Sequence, residues 1–145
     1  NSFENFFSTS AGMLLRRWEA AQMDALLADC IGESALQLGA LMGHYCEMPR
    51  TKADIGAQLR VTVAQDCATL KLNFEALPFR EDVFDLVVCV HALEFSQNPT
   101  QFFSEVFRVL APEGRLVVLS LNPWGPWWMR KKENLFEFAP KTHFK

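Results

Sequence analysis

The sequence predicts an α/β fold with a mostly parallel central sheet, and two observations carry that prediction. First, Phe84–Val90 is a continuous apolar run rather than an alternating one, which is typical of a strand covered by helices on both faces. Second, a helix, a tight turn and another apolar run follow, so residues 77–123 have the length of one βαβ unit. With 145 residues, half of them hydrophobic, the chain is expected to form a single domain.

The helix of this unit has a well-marked start. Asn98 can cap it, Pro99 suits its first position, and Gln101 stands where a capping box places its side chain. Residues 111–114 (APEG) are predicted to form a type I turn, and residues 116–119 a second buried strand. The helix is expected to bury an apolar face formed by Phe102, Phe103, Val106, Val109 and Leu110.

Residues 1–32 are predicted to be an aromatic arm followed by a helix. The helical pattern covers about residues 12–31, and Gly32 stands where a helix C-terminus favours glycine. We expect this helix to pack on the sheet, in preference to a cofactor role for Trp18. Its apolar side is predicted to be a row of five residues with four more adjoining it: Leu14, Trp18, Ala21, Ala25 and Ala28, adjoined by Met23, Leu26, Leu27 and Cys30.

Residues 33–123 are expected to form the core. A short apolar strand from Ser34 leads into Gly39 and Gly43, a spacing found in nucleotide-type loops, although glycines after a strand often only turn the chain. Residues 53–59 read as either a short helix or a strand. Residues 60–63 and 68–72 read as strands from their β-branched content.

Composition excludes several function classes. A formal net charge of −3 argues against a protein whose whole surface binds nucleic acid. The four cysteines are scattered without metal-ligand or disulfide spacing, so no metal is expected and a reducing cytoplasm is the predicted compartment. No apolar run is long enough to span a membrane, and no signal-peptide pattern is present.

Residues 124–145 differ in composition from the rest. Trp124, Trp127 and Trp128 precede a basic triplet, residues 130–132, and the segment has five basic and two acidic residues. This pattern fits a flap that covers an apolar pocket, a nucleic-acid contact, or a membrane-surface segment, in that order of preference.

The letters LPF, FDLVV, HALEF and PEGRLVV, in this order over residues 77–118, resemble the second half of class I methyltransferases that depend on S-adenosyl-L-methionine (SAM), in particular the bacterial type 11 group. The resemblance is specific over residues 73–124 and weaker over residues 35–43, which is under half of the chain. It implies a Rossmann-like three-layer sandwich, SAM as the cofactor and an acceptor that is most simply a small molecule. No catalytic residue is assigned.

Carried over position by position, the resemblance implies a cofactor site with departures from the family pattern. Gln37 stands where an acidic residue usually does, and Leu41 replaces a glycine. No acidic residue is clearly placed after the second strand, where Asp54 and Asp66 are the candidates. The implied cofactor-binding residues are Gln37, Gly39, Ala40, Gly43, Asn73, Phe74 and His91, and the implied substrate pocket contains His91, Glu94 and Trp124.

The tail is also short for the family, since 22 residues after Pro123 hardly accommodate the two strands that usually close the sheet. We therefore expect a truncated C-terminus or a domain without its far edge hairpin. Three functions stay open: a SAM-dependent methyltransferase, a catalytically inactive methyltransferase-like binding or scaffold module, and an RNA-modifying enzyme. The last depends only on the basic, tryptophan-rich tail.

Overall fold

A computed structural model describes residues 6–39, 54–62 and 70–121, and within these ranges five strands form one parallel sheet. The parallel sheet and its helices confirm the predicted α/β fold class. In chain order the elements are helix α1 (Ser10–Leu27), strands β1 (Ile31–Leu38), β2 (Asp54–Thr62), β3 (Leu70–Lys71) and β4 (Phe84–Val90), a 3-10 turn (Leu93–Phe95), helix α2 (Pro99–Val109) and strand β5 (Leu110–Leu119).

The strand order is β3-β2-β1-β4-β5. The chain therefore builds outward from β1 through β2 to β3, and then continues on the other side of β1 with β4 and β5. This reversal makes the boundary between β1 and β4 a topological switch point, and ligands of open α/β sheets bind outside the carboxyl ends of the strands at such points.

Apolar side chains cover both faces of the sheet. Strand β4 is buried on both sides, with only Asp85 partly exposed, which confirms that the continuous apolar run is a central strand. The face towards α1 packs Met23, Leu27 and Cys30 on Ala35, Leu86, Val88 and Val90. The face towards α2 packs Phe102, Val106 and Val109 on Leu36, Leu38, Val87 and Cys89.

Helix α2 starts as predicted, but only half of the capping box forms. The Asn98 Oδ1 atom accepts a hydrogen bond from the Gln101 N–H at 3.2 Å. The reciprocal bond is absent from these described residues, because the Asn98 N–H donates to Glu75 Oε1 at 2.7 Å. The Gln101 amide instead donates to the Glu75 carbonyl at 3.5 Å.

The predicted central row of the buried side of α1 is wrong, and the side that is buried contains residues expected to adjoin that row. Leu14 and Trp18 are 70% and 59% exposed, whereas Glu19, Met23 and Leu27 are buried. The helix also ends at Leu27 rather than near residue 31. Gly32 lies within β1, where a Cβ atom would come within 2.6 Å of the Asp85 side chain, so close strand packing explains this glycine.

Strand β5 is less buried than expected. Only Val117 is buried and Val118 is 40% exposed, because β5 pairs with β4 alone among the described strands. Glu113 has a φ of 63°, which fits the third position of a type II turn rather than the predicted type I turn.

Within the described ranges, no helix is long and apolar enough to cross a membrane. Residues 124–145, on which the expectations of a flap and of a missing far-edge hairpin depend, lie outside these ranges.

Candidate cofactor and acceptor site

Two segments meet where the strand order reverses. Gly39 follows β1 with a φ of 78°, a conformation that strongly favours glycine. A Cβ atom on Gly39 would lie 2.2 Å from the Val90 carbonyl oxygen and 3.2 Å from the Ala92 Cα. Gly39 therefore lies directly against the end of β4, an approach that only a glycine permits. Ala40 and Gly43, the next predicted cofactor residues, lie outside the described ranges.

Gln37 is a buried polar residue, 1% exposed, two positions before Gly39. Its Nε2 atom donates a hydrogen bond to the Gly39 carbonyl oxygen at 3.3 Å. An acidic side chain could not make this bond, since a carboxylate only accepts hydrogen bonds. The amide thus helps to hold the turn after β1 and brings no charge to the site.

His91 is the first residue after β4 and has a left-handed φ of 50°. Its backbone N–H donates to the Leu119 carbonyl at 2.8 Å, which ties it to the end of β5. The imidazole is fully buried. Its Nδ1 atom lies 3.1 Å from Glu94 Oε1 and its Nε2 atom 3.5 Å from Glu19 Oε2, so a carboxylate faces each nitrogen.

These two carboxylates control the charge of His91. Burial lowers the pKa of the imidazole, but the hydrogen bonds and charges of Glu19 and Glu94 outweigh burial and raise the pKa to about 9. The ring is therefore mostly protonated at neutral pH. A protonated imidazole with both nitrogens facing carboxylates is poorly suited to act as a general base.

Glu94 lies in the 3-10 turn, and its side chain is only 9% exposed. Its Oε1 atom faces His91 and also accepts the Leu121 N–H at 2.7 Å. Its Oε2 atom is buried and has no hydrogen-bond partner among the residues that the structure describes. Trp124, the third predicted pocket residue, lies outside those residues.

Asn73 and Phe74, two of the implied cofactor-binding residues, form a structured turn. Asn73 is exposed, and its Oδ1 atom accepts the Glu75 N–H at 2.9 Å. Phe74 is buried and packs edge-to-face on Phe102, with ring centroids 6.1 Å apart, so in this state its ring belongs to the core. Asp54 is not the acidic residue expected after the second strand, because it begins β2, beside Ile31 and at the opposite end of the strands from Gly39. Asp66 lies outside the described ranges.

Glu75 joins this turn to the start of α2. Its Oε1 atom accepts hydrogen bonds from the Ser96 hydroxyl and from the N–H groups of Gln97 and Asn98, at 2.7 to 2.9 Å. The Asn98 N–H, followed by the Ser96 hydroxyl, lowers the pKa of this carboxyl below its ordinary value. Sequence reasoning missed this contact, which joins two loops far apart along the chain.

A second side-chain contact, made by Glu105 and Arg108 of α2, holds the LPF segment at residues 77–79. We call this contact and the one made by Glu75 the two latches. Glu105 Oε2 accepts the Leu77 N–H at 2.8 Å, and the carboxylate also binds Arg108 through two hydrogen bonds. Arg108 in turn donates to the carbonyls of Leu77 and Phe79 at 2.9 and 2.7 Å. The side-chain hydrogen bond from Arg108 lowers the pKa of Glu105. These contacts explain why Glu105 and Arg108 stand three residues apart on α2.

Comparisons with known proteins agree with this architecture. Residues 30–118 match the family described as methyltransferase domain. The ubiquinone/menaquinone biosynthesis C-methyltransferase UbiE of Yersinia pestis is 32% identical over 101 residues, which are 70% of this chain and 34% of that protein. The chain spans less than half the length of the curated relatives it matches.

Solved structures show the same fold at low identity. Phosphoethanolamine N-methyltransferase 2 of Haemonchus contortus, in complex with SAM, matches with a TM-score of 0.56 at 15% identity, over 81% of this chain and 35% of that chain. The cyclase SpnF matches with a TM-score of 0.59 at 18% identity, over 75% of this chain and 47% of that chain.

Proposed function

The chain belongs to the family of methyltransferase domains, and we propose that it transfers a methyl group from SAM to a small-molecule acceptor. The observation that carries this proposal is the close approach of Gly39 to the end of β4 at the switch point of the sheet. In a doubly wound sheet this is the crevice where ligands bind. The family supports methyl transfer, and the position of the glycine supports a cofactor there.

The described residues fit a cofactor that needs close backbone approach. Gly39 supplies backbone without a side chain, and Gln37 fixes the orientation of its carbonyl group. The proposed contacts further along the crevice come from Ala40, Gly43, Asn73, Phe74 and His91. SAM, when bound, supplies the electrophilic methyl group. The protein would then act mainly by holding the acceptor in line with that group, which needs no dedicated base.

The proposed acceptor pocket contains His91, Glu94 and Trp124. The buried Oε2 atom of Glu94 supports a role in binding, because it can still accept a hydrogen bond from an acceptor hydroxyl or amine. His91 is better suited to shaping the pocket than to proton transfer, since each of its ring nitrogens faces a carboxylate. The chemical identity of the acceptor stays open.

Calorimetry with SAM and with its demethylated product tests the proposal. We expect saturable binding of both to the chain, and weaker binding to a Gly39→Ala variant whose fold is checked by circular dichroism. Gly32→Ala is the matched control, because Gly32 lies near the opposite end of β1. Absence of binding to the unmodified protein at near-millimolar cofactor would refute the proposal.

A catalytically inactive binding or scaffold module is the second candidate. It is favoured by Gln37, whose amide donates to the Gly39 carbonyl and brings no charge that could face the cofactor's ammonium group. The likeness of the fold to that of the cyclase SpnF is compatible with a function other than methyl transfer. Binding of SAM without methyl transfer to any of a broad panel of small-molecule acceptors would favour this candidate.

We further propose the cytoplasm as the compartment. Cys30 and Cys89 are free, buried thiols, which suits a reducing environment. Burial raises the pKa of Cys89 to about 12, so this thiol is unreactive. RNA modification rests only on the basic tail. A gel shift whose affinity falls steeply with salt would support it.

A further inference from the structure

Three charged side chains are buried together beside the candidate site. Glu19, His91 and Glu94 have side chains that are 4%, 0% and 9% exposed. A buried charge costs several kcal/mol unless it is paired, so pairing within this set offsets part of the cost of burying each group. We call this set the buried bridge.

The buried bridge joins elements that are distant in sequence. Glu19 comes from α1, His91 from the end of β4 and Glu94 from the 3-10 turn. The Glu94 carboxylate and the His91 N–H also hold the end of β5, through the Leu121 N–H and the Leu119 carbonyl. Helix α1 is therefore bound by charge to the carboxyl edge of the sheet, where the cofactor crevice lies.

The N-terminal segment completes the enclosure. The Phe7 ring lies 5.3 Å from the imidazole, centroid to centroid, and Arg16 donates to the Phe7 carbonyl. Gly12 permits this fold-back, because a Cβ atom there would lie 2.5 Å from the Phe7 Cα. Among the residues that the structure describes, charged groups face His91 or its aromatic neighbour from two elements: Glu19 and Arg16 from α1, and Glu94 from the 3-10 turn.

We propose that the buried bridge holds α1 over the carboxyl edge of the sheet and makes His91 a positioning residue that shapes the SAM crevice. The connection to the crevice is short. Ala92 follows His91 directly, and a Cβ atom on Gly39 would lie 3.2 Å from Ala92. A shift of His91 therefore moves the wall against which the cofactor loop packs. This inference rests on the proposed function for the identity of the ligand.

The charge state of His91 supports the same conclusion. The two carboxylates raise its pKa to about 9 although burial opposes this, so the imidazole is cationic at neutral pH and attracts Glu19 on α1. When pH rises through that value the ring becomes neutral, and the attraction that holds the helix weakens.

The first experiment measures the bridge without any ligand. In a His44→Gln/His143→Gln background, His91 is the only histidine, and its ring protons are followed by NMR against pH. We expect a pKa near 9, lowered in Glu19→Gln and in Glu94→Gln and unchanged in Asp24→Asn. Asp24 is the matched control, since it is an exposed acid on the same helix. Titration of His91 near its ordinary value would overturn the bridge.

The second experiment measures positioning. We expect Glu19→Gln to weaken SAM binding at pH 7 at least about tenfold, or about 1.4 kcal/mol, whereas Asp24→Asn binds like the unmodified chain. Glu19→Asp, which keeps the charge, should recover part of the affinity. The affinity of the unmodified chain should also fall as pH rises through His91's pKa, and this midpoint should move down in Glu19→Gln.

The two experiments separate the possible failures. A folded Glu19→Gln variant that binds SAM normally at every pH would overturn the positioning role, even if the NMR titration supports the bridge. If the unmodified chain binds no SAM, the proposed function fails together with the role in the crevice. The NMR titration still decides whether the buried bridge exists.

Discussion

The buried histidine predicts an unusual dependence of stability on pH. His91 has an ordinary pKa of 6.5 and a folded-state pKa of about 9, so the folded state holds the proton more tightly than the unfolded state. The stabilisation is therefore fully present below pH 6.5 and is lost as pH rises through about 9. A shift of this size corresponds to about 3 kcal/mol of unfolding free energy.

The window from pH 6.5 to 8.5 isolates this effect. Linkage predicts that about 2 of these 3 kcal/mol are lost within it. Above pH 9, Cys89 adds a loss of its own, because its thiol ionises in the unfolded state while its folded-state pKa is about 12. Urea denaturation at several pH values gives the unfolding free energy in the same background lacking His44 and His143.

The comparison with two variants makes this measurement decisive. Glu19→Gln should flatten the decline across the window, because the folded-state pKa of His91 falls towards its ordinary value. Asp24→Asn should leave the decline unchanged. A stability that does not vary between pH 6.5 and 8.5, or an equal decline in Glu19→Gln, would refute the assignment of His91 as a buried, charge-paired residue.

Two further predictions concern the latches around the crevice. Glu105→Ala should lower the unfolding free energy by about 2 to 3 kcal/mol in urea denaturation, because the buried Leu77 N–H loses its acceptor; an effect below about 0.5 kcal/mol would contradict the latch. Glu75→Gln should lessen the loss of stability on acidification, since the folded-state pKa of Glu75 lies below its ordinary value of 4.5 and its stabilisation disappears as pH falls through the lowered value. Thermal denaturation between pH 3 and 7 measures this, and identical acid profiles would count against the role of the carboxylate.

Local signals predicted much of the fold. The uninterrupted apolar run predicted β4 at its observed bounds, because a strand buried on both faces leaves no position for polar side chains. Asn98 and Pro99 likewise predicted the start of α2, since helix capping involves residues close in sequence. Glu75 could not be predicted in the same way. Its carboxylate replaces half of the capping box from a distant loop, and no local pattern indicates such a contact.

The wrong face of α1 has a related cause. Hydrophobic periodicity placed Leu14 and Trp18 inside and gave no reason to expect Glu19 there, because charged residues are rarely buried without a partner. The partner is His91, which lies beyond four strands along the chain. The sequence contains one signal for the buried side of α1. Glu19, Met23 and Leu27 are four residues apart, so they lie on the same side of the helix. Unless the position of His91 is known, this repeat is a weaker indication of the buried side than the larger apolar side chains of Leu14 and Trp18.

The resemblance implied a place for His91 and Glu94 in the substrate pocket, and the structure adds that Glu19 of α1 lies beside His91. Without Glu19, the buried His91 imidazole would face only the carboxylate of Glu94. Glu19 brings a second carboxylate to the other ring nitrogen. Two carboxylates around one imidazole keep that ring charged where burial alone would neutralise it. A charged imidazole attracts the Glu19 carboxylate on α1, and a neutral imidazole does not. The departure at Gln37 and the retention of charge at His91 are therefore separate features of the same crevice, and binding measurements on Glu19 variants test the second without depending on the first.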